Sequence, residues 1–229
     1  MRTPCIPVAL LAFVGLAVAI TPLEAQRRRP VPVEEHRFEL TPFAGYQWGG
    51  SYDTDAGGGV PAGQLKLGDS FGWGIILSFL PEPRTAVELI YLRQDTDIRF
   101  DRLSTGTGAA STPLGDFANN YIQLGGRWSF PIHDSRFSPF IGASLGINIL
   151  DPKNPNIGSD TKFAWSLGAG AKYMLPNNRI GLRMDIRWWI TPVSSGDYGT
   201  WCDFYGCFVV EGTAWVNQGQ LTGGLVLAF

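Results

Sequence analysis

Past its opening segment, this 229-residue chain has no apolar run approaching the ~18–20 residues that a membrane-spanning helix requires. Any span it makes must therefore be built from strands. Charge is scarce and nearly balanced, with 17% charged residues and a formal net charge of -2. That composition lacks the basic footprint of a nucleic-acid partner. Histidine occurs only at positions 36 and 133, and cysteine only at positions 5, 202 and 207. Two late thiols with neither histidine nearby do not complete a tetrahedral zinc shell, and no cofactor motif stands elsewhere.

What the chain does have begins with a leader. Met1-Arg2 precedes an apolar run from Ile6 to Ile20, followed by the small-residue site Leu23-Glu-Ala25. This reads as a secretory signal, residues 1–25, removed after Ala25. Residues 26–36 then form a periplasmic tail and 37–229 a single folded domain. Losing Arg2 and Glu24 together leaves the net charge unchanged. Arg27-Arg-Arg29 reads as a solvated run or as a contact for anionic headgroups, the latter opposed by Glu34 and Glu35. Cys5 departs with the leader, and the remaining pair in an exported chain points to a Cys202–Cys207 disulfide.

Eight segments alternate with period two, the pattern of strands with one apolar and one polar face. They run at about 38–48, 70–80, 85–97, 119–130, 138–150, 161–174, 180–190 and 213–229. The seventh is the clearest. Ile180, Leu182, Met184, Ile186, Trp188 and Ile190 face one way, and Arg183, Asp185 and Arg187 the other. The other polar faces contribute Glu39, Glu88, Arg127 and Lys172, while Tyr121, Phe140 and Trp189 share the inward phase. Three connections are short and rich in proline or asparagine, ending at Arg84, Arg136 and Arg179. The others, near 49–69, 98–118, 151–160 and 192–212, are long and rich in Gly, Ser, Thr, Asp and Pro. Short and long alternate, as in barrels with tight periplasmic turns and external loops.

Aromatic residues sort accordingly. Tyr46, Trp48, Phe71, Trp73, Phe163, Trp165, Trp188 and Trp215 fall at the external strand ends. Phe38, Phe79, Trp128, Phe130, Tyr173 and Phe229 fall at the periplasmic ends. Two such belts belong at lipid–water boundaries. A secreted lipocalin-type barrel shares the alternation, but it would turn the large aromatics inward, whereas here Gly and Ser occupy the polar face. The expected fold is an all-β, eight-stranded antiparallel up-and-down transmembrane β-barrel.

The opening Phe38-Glu-Leu-Thr-Pro-Phe-Ala-Gly-Tyr46 and the ending Thr222–Phe229 resemble the small outer-membrane barrels that include the OmpA barrel domain, OmpX and OmpW. Thr222, Gly224, Leu227 and Phe229 match the C-terminal insertion signal of that class position for position. The resemblance implies the outer membrane of a Gram-negative-type bacterium, outer-membrane lipids as surroundings, and the barrel assembly machinery as a partner during insertion. It also implies a monomer. No counterpart of the periplasmic peptidoglycan-binding domain of some OmpA relatives is expected, nor the tethering role that domain serves.

Function is less legible, because this fold carries many roles. The charges Glu39, Glu88, Arg127, Lys172, Arg183, Asp185 and Arg187 read as a plug of mutually paired lumen residues, with a pore lining as the rival reading. Some small barrels edit lipid A with a His/Ser/acid set. His36 and His133 both fall at the periplasmic side, away from the outer leaflet, so no enzyme activity is expected. Two roles stay open: a structural or surface-interaction barrel acting through external loops, or a narrow OmpW-like passive route for small apolar solutes. The loop ligand is not readable. The preferred contact site is the tip bearing Trp201, Phe204 and Tyr205 beside the two cysteines.

Overall fold

The computed structural model describes residues 36–54, 63–102, 111–132, 135–153, 158–176, 178–194, 201–203, 206–208 and 213–229. The expected signal segment and nearly all of the expected tail lie outside these residues, as do Phe204 and Tyr205. Among the described residues every regular element is a strand: β1 (Phe38–Gly49), β2 (Ser51–Thr54), β3 (Gly63–Leu67), β4 (Ser70–Glu82), β5 (Thr85–Arg102), β6 (Ser111–Ser129), β7 (Phe137–Pro152), β8 (Asp160–Met174), β9 (Ile180–Ser194), β10 (Trp201–Asp203), β11 (Gly206–Phe208) and β12 (Thr213–Ala228).

Eight of them close on themselves. Antiparallel pairing passes from β1 through β4, β5, β6, β7, β8, β9 and β12 and back to β1. Closure leaves no open edge within the wall, the condition for a strand structure in lipid. Cross-strand partners from Glu39 run through Ser78, Glu88, Gly125, Ser144, Ser166, Trp189 and Gln218 and return at Gly49. The stagger around the barrel is thus the distance from position 39 to position 49, ten residues. For eight strands it corresponds to a tilt of about 40°.

The alternation puts bulky apolar side chains outward. Phe71, Trp73, Leu124, Leu145, Leu167, Leu182, Met184, Ile186 and Trp188 are all exposed on the outer face. Phe38 and Tyr46 bound this band on β1, as do Phe79 and Phe71 on β4. At a tilted rise of about 2.5 Å per residue, each pair is ~20 Å apart, close to the apolar band of an outer-membrane barrel.

Pairing extends beyond the band on one side. Residues 49–69 and 98–118 were expected as irregular loops, but β2, β3 and the outer halves of β5 and β6 occupy much of both. Their content of Gly, Ser, Thr, Asp and Pro points to a loop; the structure shows a ladder whose outer face meets water. Arg93 pairs with Asp95 at 3.1 Å, Arg99 with Asp97 at 2.5 Å and Lys66 with Asp101 at 2.8 Å along that face. The hydrogen bond from Arg93 holds the Asp95 carboxyl below its usual range, so the pair stays charged at neutral pH. Leu114 is the extra residue of a bulge between the Ile98–Gly115 and Arg99–Pro113 pairs, and Gly115 supplies the φ of 137° required there.

Candidate functional site

The inward faces meet in a layered lumen. Nearest the short turns is an ionic layer that gathers all seven charges expected there. Glu39 on β1 accepts from Arg127 on β6 at 3.0 Å and pairs with Lys172 on β8. Glu88 on β5 accepts from Arg183 on β9 at 2.7 and 3.3 Å, lies 3.4 Å from Arg127 Nε, and takes the Ser78 hydroxyl at 3.3 Å. Asp185 Oδ2 bridges Arg183 at 2.8 Å and Arg187 at 3.2 Å. Arg183, Asp185 and Arg187 share one face because β9 alternates strictly, which stacks positions 183, 185 and 187 on the same side.

Four cations face three carboxylates, leaving one positive charge in excess. Aromatic faces take part of it: the Arg183 guanidinium lies 4.5 Å from the Phe140 ring centroid, and Arg127 lies 5.6 Å from the same ring. Small inward residues make the room. A Cβ added at Gly170 would come within 2.6 Å of the Phe140 ring, and one at Gly168 within 3.2 Å of the Arg187 guanidinium carbon.

Above this layer, Arg187 donates to Ser144 at 3.3 Å and Ser166 at 3.1 Å, and both hydroxyls bond Gln123. Then comes an aromatic and amide layer. Tyr121 and Trp189 pack with ring centroids 4.6 Å apart, each only 1% exposed. Tyr121 donates to Gln218 at 2.8 Å and the Trp189 indole N–H to Gln220 at 2.8 Å. Gln47 donates to Gln218, Gln218 to Gln94, Asn119 to Gln94 and Asn148 to Asn119, over 3.1–3.4 Å. This amide chain crosses five strands and was missed from sequence. Its signal was available, since each amide sits on the polar phase of its strand. Phe43, Ile76, Ile90, Leu92 and Ala164 complete an apolar cluster around the two rings.

The remaining candidates lie elsewhere. Cys202 and Cys207 stand opposite one another in the separate β10–β11 hairpin, which also carries Trp201. Thr222 points inward and donates to the Asp185 carbonyl at 3.3 Å, Gly224 lies against Pro42, and Leu227 pairs with Leu40. Phe229 exchanges backbone hydrogen bonds with Phe38 at 3.0 and 3.1 Å, so the terminal residue closes the seam. His36 precedes β1, and His133 lies outside the described residues. No group of metal-ligating side chains occurs among the described residues.

The model of the family described as outer membrane protein beta-barrel domain matches residues 9–229. The chain belongs to that family. This outer-membrane barrel resembles OprG of Pseudomonas aeruginosa, at a TM-score of 0.53 and 14% identity over 85% of this chain and 97% of that one. It also resembles AlkL, solved in lipid bilayers by solid-state NMR, at 0.52 and 14% over 90% and 97%. No curated protein matches the chain. Family and fold together place the barrel in the outer membrane of a Gram-negative bacterium, with its apolar band in lipid.

Proposed function

We propose that this barrel is a monomeric, non-enzymatic structural or surface-interaction protein whose lumen is plugged and whose external end makes its contacts. The observation that carries this reading is the ionic layer, in which Arg183 reaches Glu88 across the lumen at 2.7 Å and holds Asp185 of its own strand at 2.8 Å. Charges so paired fix one another in place and obstruct a passage that eight strands already make narrow. Purified protein in planar bilayers is expected to give no discrete conductance steps. Regular steps in the wild type would overturn the plug. One observation favours the second role, a narrow passive route for small apolar solutes: the cluster of Phe43, Ile76, Ile90, Leu92 and Ala164 lines the lumen above the charges. Uptake of an apolar solute into vesicles, lost in Leu92→Arg, would establish that route.

The external contact site in this reading is the β10–β11 tip, closed by a Cys202–Cys207 disulfide. Directly opposite positions suit such a bond, and so short a loop would restrict the unfolded chain by roughly 2 kcal/mol. Non-reducing peptide mapping should recover the linked peptides, and the double serine variant should keep a heat-modifiable barrel. Ready alkylation of both thiols in the native protein would count against the bond.

Insertion, in the same proposal, depends on the barrel assembly machinery reading Thr222, Gly224, Leu227 and Phe229. Deleting Phe229 also removes its two backbone bonds to Phe38. The folded fraction in outer membranes should fall, with unfolded chain lost to periplasmic proteolysis. An unchanged yield of heat-modifiable protein would refute the dependence.

A further inference from the structure

The charged side chains of the ionic layer form one unbranched chain. Lys172 pairs with Glu39, Glu39 with Arg127, Arg127 with Glu88, Glu88 with Arg183, Arg183 with Asp185 and Asp185 with Arg187. Signs alternate along it, and it begins and ends on a cation. Each carboxylate is thus shared between two cations, which is how the excess positive charge arises. The two ends differ. Arg187 continues to the Ser144 and Ser166 hydroxyls and lies 5.7 Å from the centre of the Trp189 ring. At the other end, Lys172 meets only Glu39 among the described residues.

The excess gathers where Lys172 and Arg127 meet. They grip opposite oxygens of the Glu39 carboxylate, so two cations stand side by side over one negative charge. The Arg127 side chain is 2% exposed. Its Nη2 bonds Glu39 and its Nε faces Glu88 at 3.4 Å, but its Nη1 is buried with no hydrogen-bond partner. An unmet guanidinium nitrogen in so dry a place costs free energy that a charged acceptor would restore. The Phe140 ring, 5.6 Å away, offers Arg127 a quadrupole and no full counter-charge. Lys172 is 12% exposed, in the layer nearest the short turns, so the pair is reached from the periplasmic mouth.

We propose that Arg127 Nη1 and Lys172 Nζ hold a small inorganic monovalent anion, of which chloride is the type, as an eighth member of this chain. The anion balances the four cations with a fourth negative charge and gives Nη1 its acceptor. Its size follows from the fold, because an eight-stranded lumen filled by side chains admits an ion of atomic size and rejects an organic acid. Its single charge follows from an excess of one. The site is independent of whether the lumen passes solutes: conductance steps in planar bilayers would overturn the plug and leave the anion in place.

The test follows urea unfolding of the full-length barrel in vesicles of zwitterionic lipid, with chloride exchanged for gluconate at constant ionic strength. An anion held by the folded state and released on unfolding links stability to its concentration. Each tenfold rise in chloride should therefore raise the folding equilibrium constant by up to about tenfold. Lys172→Met leaves three cations facing three carboxylates, and its folding constant should not respond to chloride. Arg93→Gln with Arg99→Gln, on the external face, should respond as the wild type does. Crystals of the wild type grown in bromide supply a readout without substitution, an anomalous peak within hydrogen-bond reach of Arg127 Nη1 and Lys172 Nζ. Heat-modifiable mobility reports whether Lys172→Met folds; if it does not, the wild-type chloride response and the bromide peak decide. A wild type indifferent to chloride, or an equal response in folded Lys172→Met, would overturn the site. So would the lack of a bromide peak beside Arg127, which would assign Nη1 to water.

Discussion

Glu88→Leu is expected to destabilise the barrel by about 3–5 kcal/mol, the cost of stranding buried charge. The carboxylate it removes holds Arg183 at 2.7 Å and Arg127 at 3.4 Å, and the lumen excess rises from one positive charge to two. Arg183→Met has the opposite arithmetic: three cations would face three carboxylates. It should therefore cost clearly less than Glu88→Leu, although each removes a residue with two ion-pair partners. The double variant returns the excess to one and should recover most of the loss. Urea midpoints in lipid vesicles measure all three. Arg183→Met proving the more damaging single change would show that hydrogen bonds at Arg183, and not charge balance, govern this layer.

The second large effect belongs to the outer face of the same strand. Ile186 lies inside the apolar band, on the periplasmic side of Trp188, and is 54% exposed toward lipid, so Ile186→Arg places a cation in hydrocarbon at a cost of about 2–4 kcal/mol. Ile190 follows Trp188 at the external belt, where Ile190→Arg should cost only about 0–1 kcal/mol. Ile186→Leu should be nearly silent. Equal costs at 186 and 190 would mean that the apolar band is not where the aromatic residues put it.

The wall was legible in the sequence because lipid demands a regular answer. A residue facing hydrocarbon must be apolar and its neighbour must not be, so β9 announces itself through Leu182, Arg183, Met184 and Asp185 in turn. Beyond the lipid that demand ends. The outer half of β5, with Asp95, Asp97, Arg99 and Asp101 facing water, has no apolar face outside and resembles a loop by composition. Its strand character comes from partners on β3 and β6 that are distant in sequence. The ionic layer was readable because each charge falls on an inward phase and has nowhere else to go. Which carboxylate meets which guanidinium was not, since the ten-residue stagger decides who stands level with whom. The amide chain was overlooked for a different reason. Gln47 and Gln94 fall on the inward phase, but a neutral amide carries no charge that demands a partner, so the chain shows only once closure brings these residues level with Gln218.

Closure with a fixed stagger also makes interior volume a shared quantity. The circumference is set by strand number and register, so no single side chain can grow at the expense of the wall. Phe43 lies over Gly74, where an added Cβ would come within 2.6 Å of its ring, just as Phe140 lies over Gly170. Each ring and its glycine behave as one unit of size divided between two strands. In descendants of this sequence Gly74 and Gly170 should stay fixed even where the rings at 43 and 140 shrink, because an added Cβ would also meet the Tyr91 and Met184 carbonyl oxygens at 2.1 and 2.2 Å. Such barrels drift in sequence at the ring positions, while the glycines beside them and the outline of the wall stay constant.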